Sequence, residues 1–164
     1  VLFWVLRVWS FLLQMLDARN AHRMQAFNIL LHVPEVTFAS FDAAVRAKTF
    51  QVWKTLIEWL LLSNPSESGR LTKFVKLVVR PLDSLFTDSP RLHPAVVDQW
   101  FQCWTCIIDS LGANIEVGFE MTFANIFEIL TGESRLPPED LPLRKQQHIR
   151  CMYLLGDLLA KDRP

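Results

Sequence analysis

One short amphipathic phrase recurs along this chain of 164 residues. The segment FQVWKTLIE at Phe50–Glu58 returns 51 residues later as FQCWTCIID at Phe101–Asp109, and LRVWSFLLQ at Leu6–Gln14 aligns with both through its own tryptophan. The aligned tryptophans are 44 and 51 residues apart. Periods of this size are typical of helical-pair repeats of the HEAT or armadillo kind. The three tryptophans are Trp9, Trp53 and Trp104.

The apolar residues around each copy recur with a helical period. Between Val96 and Leu111 they fall on one broad face of a helix, and the polar residues fall on the other. No segment sustains the two-residue alternation of a half-buried strand. The sequence therefore predicts an all-α fold, an α-solenoid of HEAT/armadillo-like hairpins with about seven helices, in which the repeated tryptophans anchor neighbouring units. Trp59 or Trp100, outside the repeated position, is a candidate for partial exposure.

Each Trp-bearing helix is followed by a break in the helical pattern, at Leu16–His22, Ser63–Gly69 and Leu111–Asn114. A second helix follows each Trp-bearing helix, at about Arg23–His32, Arg70–Phe86 and Ile115–Leu130. A proline-rich connector at Thr131–Leu143 then precedes a last helix at about Arg144–Lys161. We expect one segment of a longer helical-repeat array, because an apolar fraction of 51% is high for a self-contained domain. The approximate repeats are 1–40, 41–90, 91–135 and a partial 136–164.

Proline and glycine mark several helix ends. Pro94 suits the first turn of the third Trp-bearing helix, where its missing N–H costs little, and Gly112 suits the C-terminal cap of that helix. Pro81 predicts that its helix ends or kinks at that point. A looser fourth copy at Ile149–Asp157 places Met152 on the tryptophan position.

The composition narrows the choice of partner and compartment. The chain has 17 basic and 17 acidic residues, so nucleic-acid binding requires a local patch. The apolar run Val1–Leu16 is shorter than the ~20 residues of a spanning helix and contains Arg7, which favours a buried helix over a membrane span. Three cysteines cannot all pair within the chain, which indicates a reducing, intracellular compartment.

No constellation of residues predicts catalysis or a cofactor. Cys103 and Cys106 lie in mid-helix, without the second half of a zinc site or the strand-to-helix context of a redox pair. Cys103 instead takes the place of Val52 in the other copy, as a small core residue does. The four histidines have no nucleophile or carboxylate at motif spacing, and no glycine-rich phosphate loop is present. We therefore expect no enzyme, no metal and no cofactor.

One helix face is predicted to be basic. In GRLTKFVKLVVRP four basic residues lie within an arc of roughly 120°, opposite an apolar face, and no acidic residue interrupts them. Two interpretations stay open: a solvated outer face that keeps the repeat soluble, or a row of phosphate contacts for DNA. His148 forms a second, less regular cluster with Arg144, Lys145 and Arg150. The first set, called the basic stripe below, is Arg70, Lys73, Lys76 and Arg80.

Two consecutive segments carry a resemblance to a known family. VRAKTFQVWKTLIEWLL at Val45–Leu61, followed by RLTKFVKLVVRPLDSLF at Arg70–Phe86, resembles the N-terminal HEAT-repeat region of the Rif-type telomere-associated proteins, the replication-timing factors. In that family a VR-x-K/R-x-F-x-x-W-x-x-L-I helix is followed by a K-L-hydrophobic-x-x-PL helix. The matching residues are Val45, Arg46, Lys48, Phe50, Trp53, Leu56, Ile57, Lys76, Leu77, Pro81 and Leu82.

The resemblance implies a nuclear scaffold without catalytic activity, bound to chromatin and telomeres, that acts in replication timing and at broken DNA ends. It further implies that the helical array binds DNA and that the whole protein recruits protein phosphatase one. The phosphatase-docking motif is absent here, since RVWSF at Arg7–Phe11 has its aromatic residues out of register, so recruitment is expected through regions outside this segment. The alternative is an α-solenoid that grips peptides without nucleic-acid contact, as transport receptors and kinase or phosphatase scaffolds do.

Overall fold

The computed structural model describes residues 1–18, 25–63, 68–88, 93–131 and 141–161. Within these residues the chain forms seven α-helices and a 3-10 helix at Gly112–Val117, and it forms no strand. The predicted all-α solenoid of about seven helices is therefore confirmed. The α-helices are α1 (Leu2–Gln14), α2 (Gln25–Phe38), α3 (Ala43–Leu62), α4 (Ser68–Asp88), α5 (Pro94–Leu111), α6 (Phe119–Thr131) and α7 (Leu141–Lys161).

The helices stack in two layers. The Trp-bearing helices α1, α3 and α5 lie side by side, and α7 continues this row beyond α5. The second layer holds α2, which packs against α1 and α3, and α4, which packs against α3. α3 and α5 run parallel, because Cys103 lies against Phe50 and Cys106 against Lys54. Equivalent helices of successive repeats therefore pack side by side, which is the arrangement of a helical-repeat array.

A single apolar core runs through the described helices from α1 to α7. Trp9, Trp100 and Trp104 are among its largest side chains, and each is almost completely removed from solvent. Burial of one large apolar side chain stabilises a fold by about 1.5–3 kcal/mol, so these rings are major contributors. In the described part of the chain no helix is both long and apolar enough to cross a membrane.

α2 continues through a proline, beyond the end that the sequence predicted. It extends to Phe38 with Pro34 inside it, rather than ending at His32. Pro34 has no N–H to donate to the carbonyl of Leu30, four residues earlier. That carbonyl instead accepts a hydrogen bond from the indole N–H of Trp9, with an N–O distance of 2.5 Å. A tertiary contact therefore satisfies the group that the proline leaves unpaired.

Two further boundaries differ from the prediction. α4 does not end at Pro81, where an end or a kink was predicted, but extends to Asp88, close to the predicted limit at Phe86. α6 begins at Phe119, because the 3-10 helix occupies the start of the predicted segment. Parts of three predicted breaks lie outside the described residues: Leu16–His22, Ser63–Gly69 and the connector Thr131–Leu143.

Helix caps mark the start of α3 and both ends of α5. Asp42 caps α3, since its carboxylate accepts hydrogen bonds from the backbone N–H groups of Ala44 and Val45. α5 begins at Pro94, as predicted. It ends at Gly112, which has φ 47° and so occupies the left-handed region that glycine adopts without strain. The predicted cap is confirmed.

Candidate interaction surfaces

The three tryptophans of the repeated position are buried, with exposed fractions of 1% for Trp9, 2% for Trp53 and 0% for Trp104. Trp9 and Trp53 each donate the indole N–H to a carbonyl of the following helix, Leu30 O at 2.5 Å and Val78 O at 2.9 Å. Nε1 of Trp104 has no hydrogen-bond partner in the part of the chain that the structure describes. In the first two copies the indole N–H therefore bonds to the following helix, whereas in the third it has no such bond among the described residues. That all three tryptophans anchor neighbouring repeats stays a prediction.

A tryptophan outside the repeated position makes a comparable contact in the third copy. Trp100 is fully buried, and its indole N–H donates to Leu82 O of α4 at 2.8 Å. Its ring meets Trp104 edge-on, with centroids 5.8 Å apart. Trp59 is half-buried, with its centroid 5.8 Å from that of Phe27. The expected partial exposure therefore applies to Trp59, and Trp100 instead joins α5 to the preceding hairpin.

The fourth copy was aligned in the wrong register. Met152 is 62% exposed, whereas the buried face of α7 contains Cys151 and Leu158. α7 has no tryptophan to fix its alignment with the other copies. The face of α7 that contains Cys151 is therefore the one that packs against the core.

The second basic cluster is divided by a contact between α7 and α5. Arg150 forms an ion pair with Asp98, and its guanidinium carbon lies 4.3 Å from the ring centroid of Phe101. The guanidinium is thus engaged with α5 and does not belong to a phosphate-binding cluster. Lys145 is exposed and His148 is half-buried, and the side chain of Arg144 lies outside the described part.

The basic stripe lies on the outward face of α4. Lys73, Lys76 and Arg80 are exposed, and Arg70 is half-buried. A helical rise of ~1.5 Å per residue spreads the four positions over about 15 Å of surface. Asp83, one turn after Arg80, adds an exposed acidic side chain beyond the end of the stripe. The opposite face of α4 belongs to the core, so the stripe is held on a fixed scaffold.

The thiols of α5 face the backbone of α3. Cys103 donates its S–H to Phe50 O at 3.3 Å, and Sγ of Cys106 lies 3.9 Å from Lys54 O. Burial, with the neighbouring Cys106, raises the pKa of the Cys103 thiol. Burial also raises the pKa of Cys106 to about 11 and that of Cys151 to about 12. Among the described residues no three His, Cys, Asp or Glu side chains are placed to hold a metal ion.

These thiols are expected to resist alkylation in the folded chain. At pH 8 a thiol with a pKa of about 11 is ionised to roughly a thousandth, against roughly a quarter for an ordinary cysteine, and only the thiolate reacts. Iodoacetamide labelling, measured by mass spectrometry, should therefore be at least about a hundredfold slower in buffer than in urea.

Because folding favours the neutral thiols, the stability they contribute is present below about pH 9 and falls as the pH rises toward 11. Rapid native labelling of Cys103 would contradict its placement.

The sequence reasoning missed a cleft between α3 and α5. It has a volume of about 340 Å³ and lies on the polar side of the two helices. Glu58 and Asp109, which end the two repeated phrases, both line it, together with Lys54, whose ammonium lies 3.9 Å from the Glu58 carboxylate. This volume is at the low end of the ~300–1,000 Å³ range of ligand pockets, so the cleft suits a single side chain of a bound peptide.

Stacked hairpins around one continuous core place this chain in the class of α-solenoid helical-repeat proteins. Within that class, the family described as Rap1-interacting factor 1 N terminal matches residues 3–121. The chain belongs to this family, and the resemblance to the Rif-type proteins is confirmed.

The chain is similar to proteins named Telomere-associated protein RIF1 from three animals. It is 30% identical to the Gallus gallus protein over 114 residues, which are 69% of this chain and 5% of that protein. It is 29% identical to the Homo sapiens protein over 118 residues, 71% of this chain and 4% of that protein. It is 25% identical to the Mus musculus protein over 135 residues, which are 82% of this chain and 5% of that protein. The chain thus spans a small fraction of these relatives, and no solved structure matches it.

Proposed function

We propose that this chain is a non-catalytic helical-repeat scaffold segment of a nuclear protein that associates with telomeres and chromatin. The protein would act in replication timing and in the maintenance of telomeres and DNA ends, and would recruit protein phosphatase one through regions outside this segment. The observation that carries the proposal is the family match over residues 3–121, together with relatives named as telomere-associated. The fold supports a binding role, because stacked repeats keep their outer surfaces available to partners.

We further propose that the basic stripe contacts the phosphate backbone of DNA. Lys73, Lys76 and Arg80 project from one exposed face of a helix whose other face is locked in the core. Duplex DNA carries one charge per ~1.7 Å of axis, so a stripe about 15 Å long faces several phosphates at once. The chain carries equal numbers of acidic and basic residues, so a local patch of this kind is what such binding requires.

The triple variant Lys73→Glu, Lys76→Glu, Arg80→Glu tests this contact. Duplex DNA binding should weaken at least about tenfold, and the slope of log K against log salt should become shallower by about three, because each lost phosphate contact removes roughly one unit. Fluorescence anisotropy with a labelled duplex at several salt concentrations measures both quantities. Arg70 is left unchanged because it is half-buried, and its reversal would also perturb folding.

A charge-matched control separates a specific surface from net charge. Arg7→Glu, Lys145→Glu, Gln14→Glu and Gln51→Glu make the same total change in charge at exposed positions of α1, α3 and α7. This variant should retain the DNA affinity of the parent chain apart from a small general loss. Equal loss in both variants, or an unchanged slope in the stripe variant, would exclude the stripe as the contact. Circular dichroism confirms that both variants are folded.

A second candidate function is peptide binding without DNA contact, and the cleft between α3 and α5 favours it. Glu58 and Asp109 would attract a basic peptide side chain, with Lys54 at the edge of the same cleft. If the stripe variant keeps full DNA affinity while Glu58→Lys abolishes binding of a basic partner, the peptide-binding alternative is the correct one.

A further inference from the structure

α1 carries a regular stripe of exposed apolar side chains. Trp4, Val8, Phe11 and Met15 are spaced by four, three and four residues, so they lie along one face of the helix. Their exposed fractions are 68%, 54%, 62% and 69%. A row of four large apolar side chains left in water on one helix face marks a surface that binds something. We call these four residues the docking stripe.

The repeat register shows what the docking stripe corresponds to elsewhere. Trp9 aligns with Trp53 and Trp104, so each position in α1 has a counterpart 44 residues later in α3 and a further 51 residues later in α5. At the central positions the counterparts are apolar or small: Val8 corresponds to Val52 and Cys103, and Phe11 corresponds to Thr55 and Cys106. Thr55 is half-buried, and the other three are buried.

In α5 these positions contact the preceding Trp-bearing helix, α3. Cys103 and Cys106, with exposed fractions of 0% and 7%, lie against the backbone carbonyls of Phe50 and Lys54 in α3. Val52, the counterpart in α3, is 4% exposed. In α5 this face therefore receives the preceding Trp-bearing helix, and the burial of Val52 is what the same arrangement predicts for α3.

The two ends of the stripe differ in their counterparts. Met15 corresponds to Trp59, whose ring lies 5.8 Å from that of Phe27 in α2, so this position reaches the second helix of the preceding hairpin. Trp4 already has one charged neighbour, since the guanidinium carbon of Arg7 lies 5.5 Å from its ring centroid. The counterparts of Trp4 are the polar residues Lys48 and Gln99, so the register supports the stripe from Val8 to Met15, and Trp4 lies at its margin.

We propose that the docking stripe binds one further hairpin of the same repeat type, joined to the chain ahead of α1. The partner helix would place its own row of residues against the stripe, as α3 does against α5. That row has a large apolar residue followed four residues later by a polar one, the pattern shared by Leu6 and Ser10 and by Phe50 and Lys54. The proposal is independent of DNA binding, because the basic stripe lies on α4.

The test grafts a second copy of residues 43–95 directly ahead of Val1. This copy contains the α3–α4 hairpin and the seven residues that lead to Val96, the counterpart of Val1 in the repeat register. In both the parent chain and the grafted chain, Phe11→Cys introduces a thiol where the third copy has Cys106. Docking of the graft should slow alkylation of this thiol at least about tenfold and raise the Tm, because repeat stabilities add through nearest-neighbour interfaces. The native thiols provide an internal baseline, since all three are buried.

The control is Val8→Asp in the grafted chain, which places a charge at the centre of the stripe and should restore fast labelling and the Tm of the parent chain. A graft that is helical by circular dichroism but leaves the introduced thiol as reactive as before would overturn the proposal. Protection in the ungrafted chain that depends on protein concentration would assign the stripe to a second copy instead, and protection only by lipid vesicles would assign it to a membrane surface. Each of these two results also overturns the proposal.

Discussion

Replacing Trp53 by alanine is expected to lower the free energy of unfolding by about 3–5 kcal/mol, the range for removal of a large buried ring. The ring is 2% exposed and meets Phe38 of α2 edge-on, with centroids 5.4 Å apart, while its N–H donates to Val78 O of α4. One side chain thus joins three helices, and its loss leaves a cavity at their junction. Since domains are stable by ~5–15 kcal/mol in total, urea denaturation followed by circular dichroism resolves this effect readily.

A milder pair of variants isolates the hydrogen bond. Trp53→Phe and Trp104→Phe remove the same atoms from two buried rings, but only Trp53 loses a hydrogen bond among the described contacts. Trp53→Phe should therefore cost about 0.5–1.5 kcal/mol more than Trp104→Phe, the net contribution of one hydrogen bond. If Trp104→Phe lowers the free energy of unfolding more than Trp53→Phe does, the indole N–H of Trp104 donates a hydrogen bond in the folded chain, and this prediction is wrong.

Gly112→Ala is expected to lower the free energy of unfolding by about 1–3 kcal/mol, because a side chain is strained at φ 47° and ψ −120°. No atom lies within 4 Å of the position that the added Cβ would take, so the cost arises from the backbone alone. The same urea titration measures it.

Gly156→Ala is the matched control and should have the opposite sign. Gly156 is exposed within α7, and its added Cβ also meets no atom within 4 Å. Alanine should therefore raise the free energy of unfolding by about 0.5–1 kcal/mol, because it loses less chain entropy than glycine in a helix. Destabilisation of similar size at both glycines would show that the left-handed conformation at Gly112 is not what sets the cost.

The parts of the fold that the sequence predicts are those in which a local pattern and the packing agree. The repeated phrase around Trp53 and Trp104 has one apolar face, and that face is the buried one. The helix ends at Pro94 and Gly112 depend on the conformational preferences of these residues, which act locally. The period and spacing of the repeats therefore sufficed for the fold class, whereas the family was found through the resemblance of Val45–Leu61 and Arg70–Phe86 to the Rif-type proteins.

The parts that could not be predicted depend on contacts between distant residues. α2 continues through Pro34 because Trp9, twenty-five positions earlier in the sequence, supplies the hydrogen bond that Leu30 O would otherwise lack. Likewise Arg150 was assigned to a basic cluster, but it pairs with Asp98, which is 52 residues away. Local charge patterns do not show which cations find a partner in the folded chain.

The sequence predicts the three candidate surfaces to different extents. The basic stripe lies within a single helix, so its periodicity alone places it on one face. The cleft between α3 and α5 combines side chains from two repeats, so no pattern within a single helix predicts it. The docking stripe required the structure, because exposed and buried apolar faces of α1 look alike in sequence.

The central claim is that tryptophan side chains bond successive helices of the stack to one another across a shared core. Hydrogen exchange of the six indole N–H groups, followed by NMR, tests it most directly. The account predicts that Trp9, Trp53 and Trp100 exchange only on opening of the fold, whereas Trp4, which is 68% exposed, exchanges within the dead time of the measurement. Exchange of Trp53 as fast as that of Trp4 would contradict it.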